Sequence, residues 1–340
     1  MVELISVVIP CYNEEPTVEE FHRRASALAK SMNTYRFEFL YVNDGSTDRT
    51  GAILNALAEK NDDVKVLHLA QNRGHQIALT AGIDYARGDV VVTIDADLQH
   101  PPEFIRNLVK KIEEGYDIVH AQRLQRKGDK WLKRVTAKWF YFFMRYFSDI
   151  QLTENCGDFR AFTSSVHEAV KGFRMPHRFM RGIFVQLGFR QCAIEFESDE
   201  RFAGTSKYSF IKMMNLAVDG ALGFSAAPIR FITWISILLW CISLVHLGKA
   251  LFEHFILKTT VMGWTSIIVL MFFFTGLILF SIAIIGSYVG RIYVQGQGIP
   301  LYWLSAVRNI DLDGIQEHAE KLVEVKLSQR ILKSRPKNFS

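Results

Sequence analysis

Short apolar segments alternate with segments of helical pattern over the first 122 residues, and four of the apolar segments end in a polar cluster. The apolar segments are rich in β-branched side chains and short enough to be buried strands. They predict strands at 5–10, 37–42, 64–69, 90–94 and 118–122, with helices between them. Connections of this length favour a parallel, doubly wound α/β sheet. Ligands bind at the carboxyl ends of the strands in such sheets, so the polar clusters predict one common site.

The strand at 90–94 leads into two carboxylates, Asp95 and Asp97, with the small residue Ala96 between them. Residues two apart in an extended chain point the same way. Two such acids suit a divalent cation that also holds phosphate oxygens. An isolated Asp-x-Asp is more often a solvated turn. Here three other strand ends carry polar clusters, at 12–14, 44–46 and 72–76, and four clusters on one edge favour a binding site.

The residue types at these strand ends narrow the class of ligand. The dinucleotide pattern Gly-x-Gly-x-x-Gly is absent after the first strand, and so is the P-loop pattern, which argues against a dehydrogenase and a P-loop NTPase. Asp44 suits a base or ribose edge, whereas Arg73 and the helix amides after Gly74 suit a phosphate. With a metal at Asp95 and Asp97, these groups describe a nucleoside diphosphate with something attached.

Four ordered segments, at 6–14, 42–48, 72–76 and 95–101, resemble the family 2 inverting glycosyltransferases of the GT-A fold. More narrowly, segments 157–160 and 201–208 and the apolar tail are similar to polyprenyl-phosphate glycosyltransferases. That group includes bactoprenol glucosyltransferases, dolichyl-phosphate mannose synthases and aminoarabinose transferases. The Gln-x-x-Arg-Trp motif of processive synthases is missing, which indicates transfer of one sugar per acceptor.

The resemblance implies transfer of a hexose from a nucleotide sugar to the phosphate of a polyprenyl phosphate, with UDP-glucose as the first expectation. GDP-mannose and a UDP-aminoarabinose derivative remain alternative donors, because the residues at the strand ends do not separate uracil from guanine. Mg²⁺ or Mn²⁺ is expected as the cofactor, since both suit all-oxygen ligands. No Cys/His set is spaced for zinc.

The resemblance and the residue chemistry together assign individual roles. Asp97 is expected to be the main metal ligand, and Asp95 to hold the ribose or the second position on the ion. The expected catalytic residues are Asp97, Asp158 and Arg201. The expected donor-binding residues are Pro10, Tyr12, Glu14, Asp44, Ser46, Arg73, Gln76, Asp95, Ala96 and Lys207. The cations expected to hold the acceptor phosphate are Arg123, Arg134 and Lys138.

Asp158 matches a family position that often serves as a base. An alcohol acceptor needs a base, but a phosphate monoester with a second pKa near ~6 is mostly dianionic at neutral pH and already nucleophilic. We therefore expect Asp158 to position the acceptor or the sugar hydroxyls rather than to remove a proton.

Two stretches without a charged residue, 231–248 and 259–290, are long enough to span a bilayer. They predict a hairpin of membrane helices at about 231–252 and 261–289, broken by the glycines at 295–300. The basic residues cluster instead at 123–138, a segment that contains seven Lys/Arg and one acidic residue. A basic, aromatic helix at about 130–147 is expected on the membrane surface, and one at about 209–224 fits the surface or the domain core equally well.

From the basic flanks we expect the transferase domain (1–228) and both chain termini, including the tail at 293–340, to lie in the cytosol. The cysteines have no paired spacing and agree with a reducing compartment. A homo-oligomer remains open, and no nucleic-acid partner is expected. Two functions of another class are alternatives to the glycosyltransferase. The intact acids argue against a catalytically silent membrane scaffold. The scarcity of polar residues in the spans argues against a two-span channel.

Overall fold

The computed structural model describes residues 2–124, 156–175, 178, 180–197 and 264–310, with isolated positions 232, 234, 235, 238 and 245. Both expected interfacial helices, most of the first expected span and the tail beyond residue 310 lie outside this part of the chain. Arg134, Lys138, Arg201 and Lys207 also lie outside it. The roles given to these segments and residues stay predictions.

Strands and helices alternate through the first third of the chain, as the apolar pattern predicts. In chain order they are β1 (Leu4–Cys11), α1 (Val18–Ser31), β2 (Arg36–Asn43), α2 (Thr50–Lys60), β3 (Val64–Leu69), α3 (His75–Tyr85), β4 (Val90–Thr93), α4 (Ile105–Glu113) and β5 (Ile118–Arg123). A single 3₁₀ turn, Pro102–Phe104, precedes α4. Strand β4 ends at Thr93, so Asp95 and Asp97 lie in the turn that follows it and not on extended chain.

The later described elements are β6 (Cys156–Thr163), α5 (Ser164–Lys171), α6 (Met180–Gln186), β7 (Gln191–Phe196), α7 (Trp264–Gly296) and β8 (Leu304–Arg308). All described strands belong to one sheet with the order β7-β5-β6-β4-β1-β2-β3-β8. Strands β1 to β4 pair in parallel, as do β5 and β7, whereas β6 and β8 run antiparallel to their neighbours. The α/β class is confirmed, and the sheet is mixed.

Helices cover both faces of the sheet because successive strand residues point to opposite sides. On β1, Val7 and Ile9 pack in a core with α1, α2 and α4. Val8 between them packs in a second core with α3, α5 and α6. Helix α3 lies so close to β1 that a Cβ at Gly82 would stand 2.2 Å from Val8 Cγ1. This two-sided packing is the doubly wound arrangement that the alternating pattern predicts.

The antiparallel strand β6 lies between β4 and β5, and the sequence pattern does not reveal it. Its pairing with β4 places Arg160 opposite Thr93. Continued by two residues, that register brings Asp158, near the start of β6, beside Asp95 beyond the end of β4. An antiparallel strand begins where its parallel neighbours end, so Asp158 joins the edge that carries the polar clusters.

The chain returns to the sheet after the apolar helix α7. Within α7, Phe273–Gly296 has the length and mean hydropathy (2.0) of a membrane-spanning helix. Gly298, with φ of 64°, follows the end of the helix, as the glycines at 295–300 predict. Strand β8 then pairs antiparallel with β3, with Leu304 opposite Leu69. The two-helix hairpin stays a prediction, since the first span lies mostly outside the described residues.

Candidate active site

The loops that follow β1 and β2 are held together by reciprocal hydrogen bonds. Asn13, in the left-handed region with φ of 54°, donates from its amide to Ser46 Oγ at 3.1 Å. Its side-chain oxygen accepts the Thr47 amide at 2.9 Å. The Ser46 amide in turn donates to Asn43 Oδ1 at 3.0 Å. Two strand ends that the sequence assigns to the donor nucleotide therefore form one fixed surface.

Asp44 joins this surface to the loop after β3. Asp44 is 2 % exposed, and its carboxylate accepts the amides of Arg73 at 2.7 Å and Gly74 at 2.9 Å. Burial raises the pKa of Asp44, and these two hydrogen bonds oppose that rise. A Cβ at the neighbouring Gly45 would stand 2.6 Å from the Asn72 amide nitrogen, so only glycine fits there. Asp44 thus shapes the loop that presents Arg73.

Asp158 is the centre of the charged part of the site. Its side chain is 8 % exposed and lies near four donors. Gln76 Nε2 donates to its Oδ2 at 2.9 Å, His75 Nε2 lies 3.3 Å from the same oxygen, and Arg160 and Arg181 each reach Oδ1 at 3.4 Å. Burial raises the pKa of Asp158, but Arg181, His75 and Arg160 outweigh it and hold this pKa well below its usual range.

Arg160 is the most deeply buried of the cations around Asp158, with 1 % of its surface exposed. Its Nη2 also donates to the Gly157 carbonyl at 2.8 Å, and its guanidinium lies 4.4 Å from the centre of the Phe184 ring. Burial lowers the pKa of Arg160 to about 10, against the effect of Asp158. The charge on Asp158 therefore compensates a cation that has little access to water.

His75 connects Asp158 to the metal-binding candidates. Its Nε2 lies 3.6 Å from Asp95 Oδ1 as well as 3.3 Å from Asp158. Burial lowers the pKa of His75, but the carboxylates of Asp95 and Asp158 outweigh it and raise this pKa to about 9. On the other side, His100 Nδ1 lies 3.7 Å from Asp95 Oδ2. Both oxygens of Asp95 are thus faced by imidazoles.

The two acids after β4 could hold a divalent cation together with substrate phosphates and water. Asp95 and Asp97 are partly buried around the buried Ala96, and Asp97 Oδ1 accepts the Gln99 amide at 3.1 Å. No group of three or more His, Cys, Asp or Glu side chains in the described part of the chain could hold a metal alone. Mg²⁺ is commonly bound by one or two carboxylates plus substrate phosphates and water, and these residues match that donor set.

Comparison with known proteins places the chain in a family. The family model of glycosyl transferase family 2 matches residues 6–171. The bactoprenol glucosyl transferase of Shigella phage SfV is 37% identical over 298 residues, covering 88% of this chain and 97% of that protein. The chain belongs to glycosyltransferase family 2.

Two further proteins are similar to this family 2 glycosyltransferase. An uncharacterised Bacillus subtilis glycosyltransferase, YkcC, is 38% identical over 297 residues, covering 87% of this chain and 92% of its own length. Glucosyl-3-phosphoglycerate synthase of Mycobacterium tuberculosis, solved with Mn²⁺, UDP and phosphoglyceric acid, gives a TM-score of 0.46 at 20% identity. That match covers 65% of this chain and 76% of the synthase.

The predicted site residues of this glycosyltransferase that the structure describes share one edge of the sheet. Tyr12 is 38 % exposed at the end of β1, whereas Pro10 is buried within that strand. Glu14 Oε2 accepts the Thr17 hydroxyl at 2.9 Å, just before α1 begins. Arg123 ends β5 at the same edge. The remaining members are Asp44, Ser46, Arg73, Gln76, Asp95, Ala96, Asp97 and Asp158.

Sequence reasoning missed three residues of the candidate site in this glycosyltransferase. His75 and His100 lie inside the segments 72–76 and 95–101 that carry the family resemblance, so a signal was present although neither received a role. Arg181 lies in α6 and gives no sequence signal, because nothing local links it to Asp158. Only the packing of α6 beside β6 and α3 brings its guanidinium to that carboxylate.

Proposed function

We propose that this glycosyltransferase moves a hexose, glucose from UDP-glucose, onto the phosphate of a polyprenyl phosphate with inversion at the sugar. The environment of Asp158 carries this proposal. Its carboxylate is occupied by four donors and its pKa is held well below the usual range. A carboxylate stabilised in its charged form by cations is a weak proton acceptor.

Because Asp158 is a weak base, an acceptor that needs no deprotonation is favoured. A sugar or lipid alcohol must lose a proton as it attacks, and catalysis of that step needs a base with a pKa near the operating pH. A phosphate monoester is mostly dianionic at neutral pH, with a second pKa near ~6, and attacks without one. The bactoprenol glucosyl transferases that cover most of this chain support the same class of acceptor and the same sugar.

Donor activation is assigned to the acids after β4. Asp97 is proposed as the main ligand of Mg²⁺ or Mn²⁺ and Asp95 as the ribose or second metal ligand. A bound divalent ion would stabilise negative charge on the departing diphosphate. The imidazoles of His75 and His100 face Asp95 and orient it, while Asp158 keeps His75 in place. Arg201 and Lys207 are proposed to approach the diphosphate, and Arg123, Arg134 and Lys138 the acceptor phosphate.

The short link between the apolar helix α7 and strand β8 supports a lipid acceptor. Seven residues separate the end of α7 at Gly296 from Leu304, and this stretch spans no more than about 29 Å. Leu304 lies at the carboxyl edge of the sheet, where β3 ends and the site lies. The end of the apolar helix is thus tied to the catalytic edge. We propose that this edge faces the cytosolic leaflet, with both chain termini in the cytosol.

A transfer assay with the purified full-length chain in lipid nanodiscs tests this function. Undecaprenyl phosphate is supplied with labelled UDP-glucose, GDP-mannose or UDP-aminoarabinose, and with Mg²⁺ or Mn²⁺. A lipid-linked monophosphate sugar is expected from UDP-glucose. Product from another donor instead would reassign the sugar, and no product from any donor would refute the function and favour a catalytically silent scaffold.

Matched carboxylate variants separate the site from general effects of charge. Asp97→Ala should abolish transfer. Glu113→Gln removes an exposed carboxylate that accepts a hydrogen bond from Tyr35 Oη at 2.7 Å, and it should leave transfer intact. Full activity in Asp97→Ala would refute the metal assignment while leaving the acceptor assignment standing.

A further inference from the structure

The segment 301–309, here called the return segment, is fastened to the transferase domain along its length. Strand β8 pairs with β3, and the Trp303 carbonyl accepts the Ala70 amide at 2.9 Å. At its start, Tyr302 Oη donates to Asp84 Oδ2 at 2.8 Å. At its end, Asn309 Nδ2 donates to the Ala58 carbonyl at 2.7 Å. The path of the chain over the end of β3 is therefore fixed independently of the Trp303 side chain.

The Trp303 ring makes its distinctive contact with Arg73. The Arg73 guanidinium carbon lies 4.8 Å from the ring centre, within the range of a cation–π contact. With its oxygen turned towards Arg73, the Gln71 amide accepts from Arg73 Nε at 3.0 Å. Trp303 stays 45 % exposed, so the protein covers its side chain only in part. The hydrogen bonds described above hold the backbone of the return segment in place, and the Trp303 side chain adds the contact with Arg73.

Arg73 lies between the two halves of the candidate site. Its own amide and that of Gly74 bind the Asp44 carboxylate on the nucleotide side. Two and three residues further on, His75 and Gln76 contact Asp158 on the catalytic side. A guanidinium at this point suits the phosphate oxygens of a nucleoside diphosphate, which it can bind through two parallel hydrogen bonds.

We propose that Trp303 is a positioning residue, which holds the Arg73 guanidinium over the donor-nucleotide part of the site. The chain that returns from the apolar helix thereby completes the donor site. This inference rests on the proposed function, because it takes a nucleoside diphosphate sugar as the ligand of Arg73. Polyprenyl phosphate offers similar oxygens, so the experiment measures the two substrates separately.

Kinetics of the full-length protein in nanodiscs test the proposal with four variants: Trp303→Leu, Trp303→Phe, Arg73→Gln and the double variant Trp303→Leu/Arg73→Gln. Trp303→Leu should raise KM for UDP-glucose about two- to fivefold, the value of an exposed cation–π contact, with little change in kcat. The KM for undecaprenyl phosphate should not change. Trp303→Phe keeps an aromatic face and should keep KM close to wild type. In the Arg73→Gln background the Trp303→Leu change should have no effect.

Ser305→Ala is the matched control, because it removes a hydrogen bond of 3.2 Å from the same strand to the His68 carbonyl without touching Arg73. It should leave both KM values unchanged. Calorimetric titration with UDP repeats the comparison without turnover and applies to any folded variant. An unchanged donor KM in Trp303→Leu, an equal effect with and without Arg73, or a rise in the acceptor KM alone would overturn the inference. Failure of the wild type to form lipid-linked sugar would instead overturn the proposed function.

Discussion

Replacing Asp158 by asparagine separates a positioning carboxylate from a catalytic base. The amide keeps the shape of the side chain and an oxygen that can still accept from Gln76. It removes the negative charge that faces Arg160 and Arg181 at 3.4 Å and His75 at 3.3 Å. The substitution therefore changes the electrostatics of the cluster and leaves its packing nearly unchanged.

The expected loss of stability follows from the burial of Arg160. Removing one partner of a buried ion pair costs about 3–5 kcal/mol. Arg160 is 1 % exposed but keeps the Gly157 carbonyl and the Phe184 ring, which places the loss near the lower end, about 3 kcal/mol. For a domain of this size that corresponds to a fall in Tm of about 6–12 °C. Differential scanning fluorimetry of the purified protein measures it.

Two further variants check this reasoning. Adding Arg160→Met to Asp158→Asn removes the uncompensated cation and should restore much of the lost Tm. Glu103→Gln makes the same chemical change in an exposed pair with Arg24, at 2.7 Å, and should lower Tm by only a degree or two. A Tm of Asp158→Asn equal to that of Glu103→Gln would refute the compensation of Arg160.

The pH dependence of transfer tests whether Asp158 acts as a base. Asp158→Asn should transfer more slowly because His75, Arg160 and Arg181 lose the negative charge that they face. An acid limb of kcat/KM near pH ~6 should persist in the variant, because it belongs to the acceptor phosphate. Asp158 itself, with a pKa well below its usual range, contributes no ionisation there. Disappearance of the acid limb in Asp158→Asn would show that Asp158 acts as a base.

Three other outcomes are expected. EDTA should abolish transfer and Mg²⁺ or Mn²⁺ restore it in wild type, but not in Asp97→Ala; activity that survives EDTA would contradict the metal site. Burial and the Arg160 charge lower the pKa of His120 in the folded protein to about 4, from 6.5 in the unfolded chain. As pH falls below 6.5, the unfolded chain therefore takes up a proton at His120 before the folded protein does. Thermal scans should lose up to roughly 3 kcal/mol of stability between pH 6.5 and 4, and His120→Gln should flatten this loss. Gly82→Ala forces a methyl group against Val8 and should lower stability by about 1–3 kcal/mol in the same scans, whereas an unchanged Tm would show that α3 can shift.

Local patterns in the sequence were sufficient for the first five strands and for the family. The β-branched segment at 64–69 matches β3 without a shift, and 118–122 matches β5 to within one residue. Such segments are recognisable because the side chains themselves carry the pattern of burial. The segment 95–101 likewise identified the acids, although the turn after Thr93 displaced them from the extended chain that was expected.

The partners of Asp158 could not be inferred in the same way. The segment 157–160 marked the residue, but its four donors come from α3, β6 and α6, which are distant in the chain. The expected ligand role of Asp44 was likewise drawn from residue type alone. The fold shows that both of its oxygens also accept backbone amides from the next loop.

The sequence alone determined the first five strands and the helices between them, which of these strand ends are polar, and which stretch is apolar enough to cross a membrane. These properties depend on the order of neighbouring side chains. Only the tertiary structure decided that β6 enters antiparallel between β4 and β5, and that β8 returns to pair with β3. The physical reason is that a strand's periodicity reports which of its faces are buried, whereas its partner, direction and register depend on contacts between distant segments. Those choices placed Asp158 beside Asp95 and Trp303 over Arg73.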